Sequence, residues 1–141
     1  MKLLLIALPL MLLQPAASEA PLFRDATELV WTDSPTFRGI KATVVHGEPD
    51  KPGLYVVRSR FSPQLLTQPH WHPADEFGTV LSGTLHLGIG DRADKANTRP
   101  YGPGAFLVIP ANTKHFTWND GEVILQFHGI GPRRTLLQDG Q

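Results

Sequence analysis

The sequence predicts an all-β protein, and three observations predict it. Apolar segments are short and recur at roughly the 8 to 12 residue spacing of small sandwiches and barrels. Turn-forming residues separate them: Pro and Gly number 13 each and fall between apolar segments, with no single linker. No segment carries apolar residues at a sustained helical period, so helix is expected only in short pieces.

The first stretch, MKLLLIALPLMLLQPAASEAP, stands outside that pattern. Lys2 gives a positive start, Leu3 to Leu13 form an apolar run, and small residues follow at Ala16, Ala17 and Ser18. The run is short for a membrane span and has the layout of a secretory signal peptide. Residues 1–18 are therefore expected to be removed, with cleavage after Ser18. The mature protein is expected to be secreted or periplasmic, without a membrane anchor. The total of 141 residues suits one domain. It divides into N-terminal strands or an arm over 19–48, a barrel core over 49–132 and a tail over 133–141.

The strands follow in order. TELVWT and IKATVVH come first, and GEPDKPG is a turn. LYVVRSRF alternates, with Tyr55, Val57, Ser59 and Phe61 on one face and Val56, Arg58 and Arg60 on the other. That is a half-buried strand. FGTVL, TLHLGIG, AFLVIP, KHFTWN and EVILQFHGI complete the set, split by SG, RPYGPG and NDG.

Composition excludes several functions. No cysteine is present, so neither disulfides nor a lipid-modified cysteine anchor exists, and any metal must be held by nitrogen and oxygen. Lys and Arg number 13 against 13 Asp and Glu, which leaves no electrostatic case for nucleic acid.

The stretch PHWHPADEFGTVLSG concentrates the chemistry. On a strand His70 and His72 share a face, and Glu76 has the same parity. Two imidazoles and a carboxylate converging on one face make three corners of a metal site. GAFLVIPANTKHFTWN offers a fourth candidate, His115, after a Pro and a turn.

These two stretches resemble the cupin superfamily, small β-barrels of the jelly-roll type. Its first motif, G-x5-H-x-H-x3-E-x6-G, is matched at His70, His72, Glu76 and Gly83. Its second, G-x5-P-x-G-x2-H-x3-N, is matched at Gly104, Pro110, His115 and Asn119. Two motif glycines are replaced, by Gln64 and Asn112. Asn tolerates left-handed backbone, so Asn112 is expected to keep its turn. The resemblance spans roughly residues 50 to 130. It implies a jelly-roll barrel holding one divalent transition metal on His70, His72, Glu76 and His115. It also implies Fe(II) or Mn(II), with Zn(II) or Cu(II) favoured by loading outside the cytoplasm. A homodimer is a further expectation from the family.

The DG at 120 and 121 predicts a hairpin pairing Thr117 with Ile124 and His115 with Gln126. That register places Gln126 and His128 on the metal side, Gln126 as an orienting contact and His128 as an acid/base. A second hairpin centred on Ser82 and Gly83 pairs Val80 with Leu85 and Gly78 with Leu87. Val80, Leu87, Thr117 and Ile124 then line the substrate pocket, joined by Phe106 or Leu107. His86 points away from the metal, and His46 is expected at the surface. The loop DRADKANTRPYGP is expected at the pocket mouth.

The favoured functional reading is a metal-dependent oxidoreductase, dioxygenase-like, acting on a small organic acid or carbonyl compound. The alternative is a non-catalytic cupin that binds or senses a small ligand or the metal itself.

Overall fold

The computed structural model describes residues 20–138; the leader and its cleavage site lie outside them. Eleven strands follow a 3₁₀ turn at Ala26–Glu28: β1 (Thr32–Asp33), β2 (Ile40–His46), β3 (Gly53–Phe61), β4 (His70–Trp71), β5 (Glu76–Ser82), β6 (Leu85–Ile89), β7 (Arg99–Tyr101), β8 (Phe106–Ile109), β9 (His115–Trp118), β10 (Val123–Gly131) and β11 (Leu136–Leu137). A second 3₁₀ turn, Lys95–Asn97, precedes β7. The strands form two antiparallel sheets, β1-β2-β3-β10-β5-β8 and β11-β4-β9-β6-β7, packed as a jelly roll. Among the described residues no helix is long and apolar enough to cross a membrane.

The alternating strands deliver the core as their patterns require. β3 buries Tyr55, Val57, Ser59 and Phe61 and turns Arg58 and Arg60 outward. On the outer face Arg58 Nε donates to Gln126 Oε1 at 3.0 Å, and the Arg60 guanidinium lies 4.4 Å from the Trp31 ring centre. Phe61, Val80, Leu85, Leu107, Val123, Leu125 and Phe127 close the interior between the sheets. On the outer face of the six-stranded sheet apolar residues meet in pairs: Leu54 lies opposite Ile130, and Phe106 stacks with Phe77.

Neither expected hairpin forms. β5 lies in the six-stranded sheet and β6 in the five-stranded one, so the chain crosses at Gly83 instead of folding back beside itself. The same happens at Asn119–Gly121: β9 pairs with β4 and β6, whereas β10 pairs with β3 and β5. Thr117 therefore faces Leu87 rather than Ile124, and His115 faces His70 and Ile89 rather than Gln126. Asn119, with no exposed surface, clamps the second crossing by donating from Nδ2 to Ser62 O at 2.8 Å and to Gly121 O at 2.6 Å.

The segments on either side of residues 49–132 are part of the barrel. β2 runs antiparallel along β3, and β11 pairs with β4. Both replaced motif glycines sit in left-handed backbone, Gln64 at φ 58° and Asn112 at φ 61°. Gly83 has no such latitude. Its φ is 76°, and a Cβ built there would stand 2.2 Å from the carbonyl oxygen of Glu122. Gly83→Ala is expected to cost about 2 kcal/mol or more, through strain and backbone displacement at the crossing. Urea unfolding followed by tryptophan fluorescence measures this.

Candidate metal centre

β4 and β9 are adjacent antiparallel strands with His70 directly opposite His115. His72 follows β4 with the same parity, so three imidazoles enter the barrel from one sheet. Their ring centres are 4.2 Å apart for His70 and His115, and 5.4 Å for His72 with either. All three are buried. One ligand nitrogen from each can be chosen so that all lie within 4.8 Å of one another.

Backbone carbonyls set the tautomers. His70 Nδ1 lies 2.8 Å from Gln68 O, His72 Nδ1 2.7 Å from Arg134 O, and His115 Nδ1 2.9 Å from Thr113 O. A carbonyl only accepts, so each Nδ1 carries a proton and donates it. In the neutral ring Nε2 is then the lone-pair nitrogen. Burial first, and the neighbouring His115 next, push the His70 imidazole down from 6.5 to about 3. His115 is lowered too, chiefly by burial. Both rings are neutral at physiological pH, the state a metal requires.

Glu76 opens β5 in the opposite sheet and is buried. It is not part of the group within 4.8 Å. Its Oε1 accepts from Arg133 Nη2 at 2.7 Å and from Arg133 Nε at 3.1 Å, while Oε2 stands 3.3 Å from His72 Nε2. Burial alone would raise its pKa. The Arg133 guanidinium, followed by the contact with His72, overrides this and holds the carboxyl at about 2. His72 Nε2 has no hydrogen-bond partner among the described residues. A cation placed between Nε2 and Oε2 would give both atoms a partner. The donor set thus fits a divalent metal: three imidazole nitrogens and one carboxylate oxygen.

These groups line one end of an interior cavity of about 260 Å³. Leu85, Leu87, Leu107, Ile109 and Phe127 supply the apolar part of its wall, and Ser59 and Thr67 add hydroxyls. Thr117 lines it too, but its hydroxyl lies 3.2 Å from the Thr67 hydroxyl, and its N–H donates to Thr67 Oγ1 at 2.8 Å. The rim is built by residues 32–37 with Asp50 and Thr135, and Phe37 packs edge-on against His70 at 4.8 Å between ring centres. The loop from Asp91 to Pro103 takes no part in it.

Of the expected pocket residues, Leu87 and Thr117 line the cavity, while Val80 is packed deeper in the core. Leu107 lines it, and Phe106 is on the outer face. Ile124, Gln126 and His128 are corrected. In β10 Val123, Leu125 and Phe127 point inward, so the alternate residues point outward. His128 stacks with Phe77 at 5.5 Å on that outer face, and Gln126 bonds Arg58. The expected register had assumed a single sheet. His86 does point away from the histidine cluster, stacked on Trp118 at 4.0 Å. Sequence reasoning missed Arg133, which no motif marks, and the carbonyl of Arg134.

A Cupin domain family model matches residues 57–130, more than half of the chain. The chain belongs to the cupin family. Germin-like protein 5-1 of Oryza sativa subsp. japonica is 37% identical over 71 residues, covering 50% of this cupin and 32% of that protein. Oxalate oxidase 1 of Hordeum vulgare is 33% identical over 88 residues, covering 57% of this chain and 44% of that one. This cupin thus spans less than half the length of either relative. Among solved structures, the polyketide cyclase RemF of Streptomyces resistomycificus superposes with a TM-score of 0.72 at 18% identity, over 86% of this chain and 88% of that one. That likeness concerns the fold.

Two outcomes follow from the site. The lowered His70 means that the unfolded chain binds more protons than the folded one between pH 6.5 and about 3. Stability of the metal-free protein is therefore complete above pH 6.5 and falls as pH drops through that window. Thermal unfolding against pH in chelator shows it. His128→Ala, on the outer face, is expected to leave metal content and cavity ligand binding unchanged, measured by elemental analysis and calorimetry.

Proposed function

We propose that this cupin holds one divalent transition metal on Nε2 of His70, His72 and His115, with Oε2 of Glu76 as a fourth ligand. We infer that it acts as an oxidoreductase of the dioxygenase type on a small organic acid or carbonyl compound. The observation that carries the reading is the convergence of three buried, carbonyl-oriented imidazoles on an interior cavity. The likeness to oxalate oxidase supports the reaction class. Fe(II) or Mn(II) is the favoured metal, with Zn(II) or Cu(II) next. The leader read from the sequence supports a secreted or periplasmic site of action.

A metal held by His70, His72, His115 and Glu76 would supply Lewis acidity and redox chemistry. The chain's own residues do the rest. Leu85, Leu87, Leu107 and Ile109 exclude water from the body of the substrate. Among the described residues Arg133 is the only Lys or Arg lining the cavity, and it balances the charge of Glu76. Phe37 covers the outer side of His70.

Elemental analysis of the protein purified without chelators tests this reading, beside His115→Ala. About one equivalent of iron or manganese, lost in the variant, and steady O₂ uptake with a panel of small organic acids are expected. One equivalent of zinc without O₂ uptake would favour the non-catalytic binding and sensing alternative. No metal in either sample, and none taken up on titration, would overturn the assignment.

A further inference from the structure

The Arg133–Glu76 pair joins two strands of the six-stranded sheet at the histidine cluster. Arg133 follows β10, and Glu76 opens β5. Both guanidinium bonds, from Nε and Nη2, converge on one oxygen, Oε1, and leave Oε2 turned toward His72. The carboxylate is thus divided between a permanent cation and the imidazoles. Its position is over-determined: Arg133 N donates to Pro49 O at 2.6 Å, and the guanidinium lies 5.5 Å from the Phe127 ring centre.

We propose that Arg133 is a positioning residue that holds Glu76 as a shared, weakened ligand, so that the centre binds a divalent cation chiefly through its three histidines. This rests on the metal reading above. Two consequences of the contact support it. An oxygen accepting two charge-assisted hydrogen bonds cannot swing to join Oε2 in a bidentate grip without breaking both. The guanidinium charge also offsets the carboxylate charge, so the cation meets a donor set that is neutral overall. Neutral donors leave the bound cation more electron-poor and its open positions more receptive to an anionic ligand. That matches a small organic acid as substrate class.

Zn(II) affinity by chelator competition, and the visible absorption of the Co(II) form, which reports coordination number, test the proposal in wild type, R133M, R133K, E76Q and E76Q/R133M. Circular dichroism checks folding. R133M is expected to bind Zn(II) on the order of tenfold more tightly, because Glu76 is released to the metal and its charge is no longer offset. Its Co(II) spectrum is expected to shift toward higher coordination. R133K, which keeps the charge, is expected to stay within a few-fold of wild type.

In the E76Q background the Arg133 substitution should change affinity by much less, since its route through the carboxylate is gone. If R133M does not fold, R133K and E76Q/R133K carry the same comparison through the Co(II) spectrum, which R133K alone should shift. Equal affinity and equal spectra across the Arg133 variants would overturn the proposal while leaving the metal centre standing. So would an Arg133 effect of the same size with and without Glu76. Wild type that binds neither Zn(II) nor Co(II) would overturn both.

Discussion

A carbonyl oxygen accepts hydrogen bonds and never donates them, and the centre depends on that asymmetry. Three backbone carbonyls each take the Nδ1 proton of one histidine. Each ring is thereby fixed in tautomer and direction, with its lone pair inward. Two of the carbonyls lie two residues from their own ring, Gln68 for His70 and Thr113 for His115. The local strand entry thus builds its own support. The third, Arg134, comes from a segment sixty-two residues away. His72 is therefore aimed only when the C-terminal segment is in place, which couples completion of the fold to completion of the site.

That segment contributes on both sides of its backbone. Arg134 turns its carbonyl to His72, and Arg133 turns its side chain to Glu76. Burying an ion pair is costly unless the geometry is good and the remaining polar atoms are satisfied. Here Glu76 meets Arg133 through two hydrogen bonds to one oxygen, and its second oxygen faces an imidazole nitrogen. The pair contributes little as a stabiliser when set against an apolar replacement. Its structural consequence is position: it fixes a carboxylate from one sheet against histidines from the other.

The three histidines, Glu76 and their shared inward direction were legible because strand parity and motif spacing are properties of side chains in order. Asn112 and Gln64 show the limit of motif matching, since the backbone conformation was kept at both without glycine. The hairpin registers were not legible. Gly83 and Asp120–Gly121 signal that the chain turns, but a turn signal does not say whether the chain returns to its own sheet. In a jelly roll it crosses to the facing sheet: at Gly83 the inward set keeps the expected parity, Val80 followed by Leu85 and Leu87, whereas after Asn119 it is shifted by one, to Val123, Leu125 and Phe127. Gln126, His128 and Ile124 were misplaced for that single reason. Arg134 was beyond reach in another way, because its contribution is a backbone atom common to every residue type.

The cavity joins the histidine cluster to a wall of leucines and hydroxyl residues, and the sequence of the wall explains its character. Buried threonines would ordinarily make that end polar. Thr67 and Thr117 instead satisfy each other through backbone and hydroxyl contacts, leaving little for a ligand to bond. Specificity at that end must then come from shape, set by Leu85, Leu87 and Leu107, and a hydrophobic pocket discriminates weakly among molecules of similar shape. Discrimination by chemistry comes from the histidine end, where Glu76 and Arg133 are already engaged with each other, and from polar rim residues such as Asp33, Ser34 and Asp50. A ligand entering at the histidine end is accommodated without disturbing the pair, or it must break the two charge-assisted hydrogen bonds to Oε1.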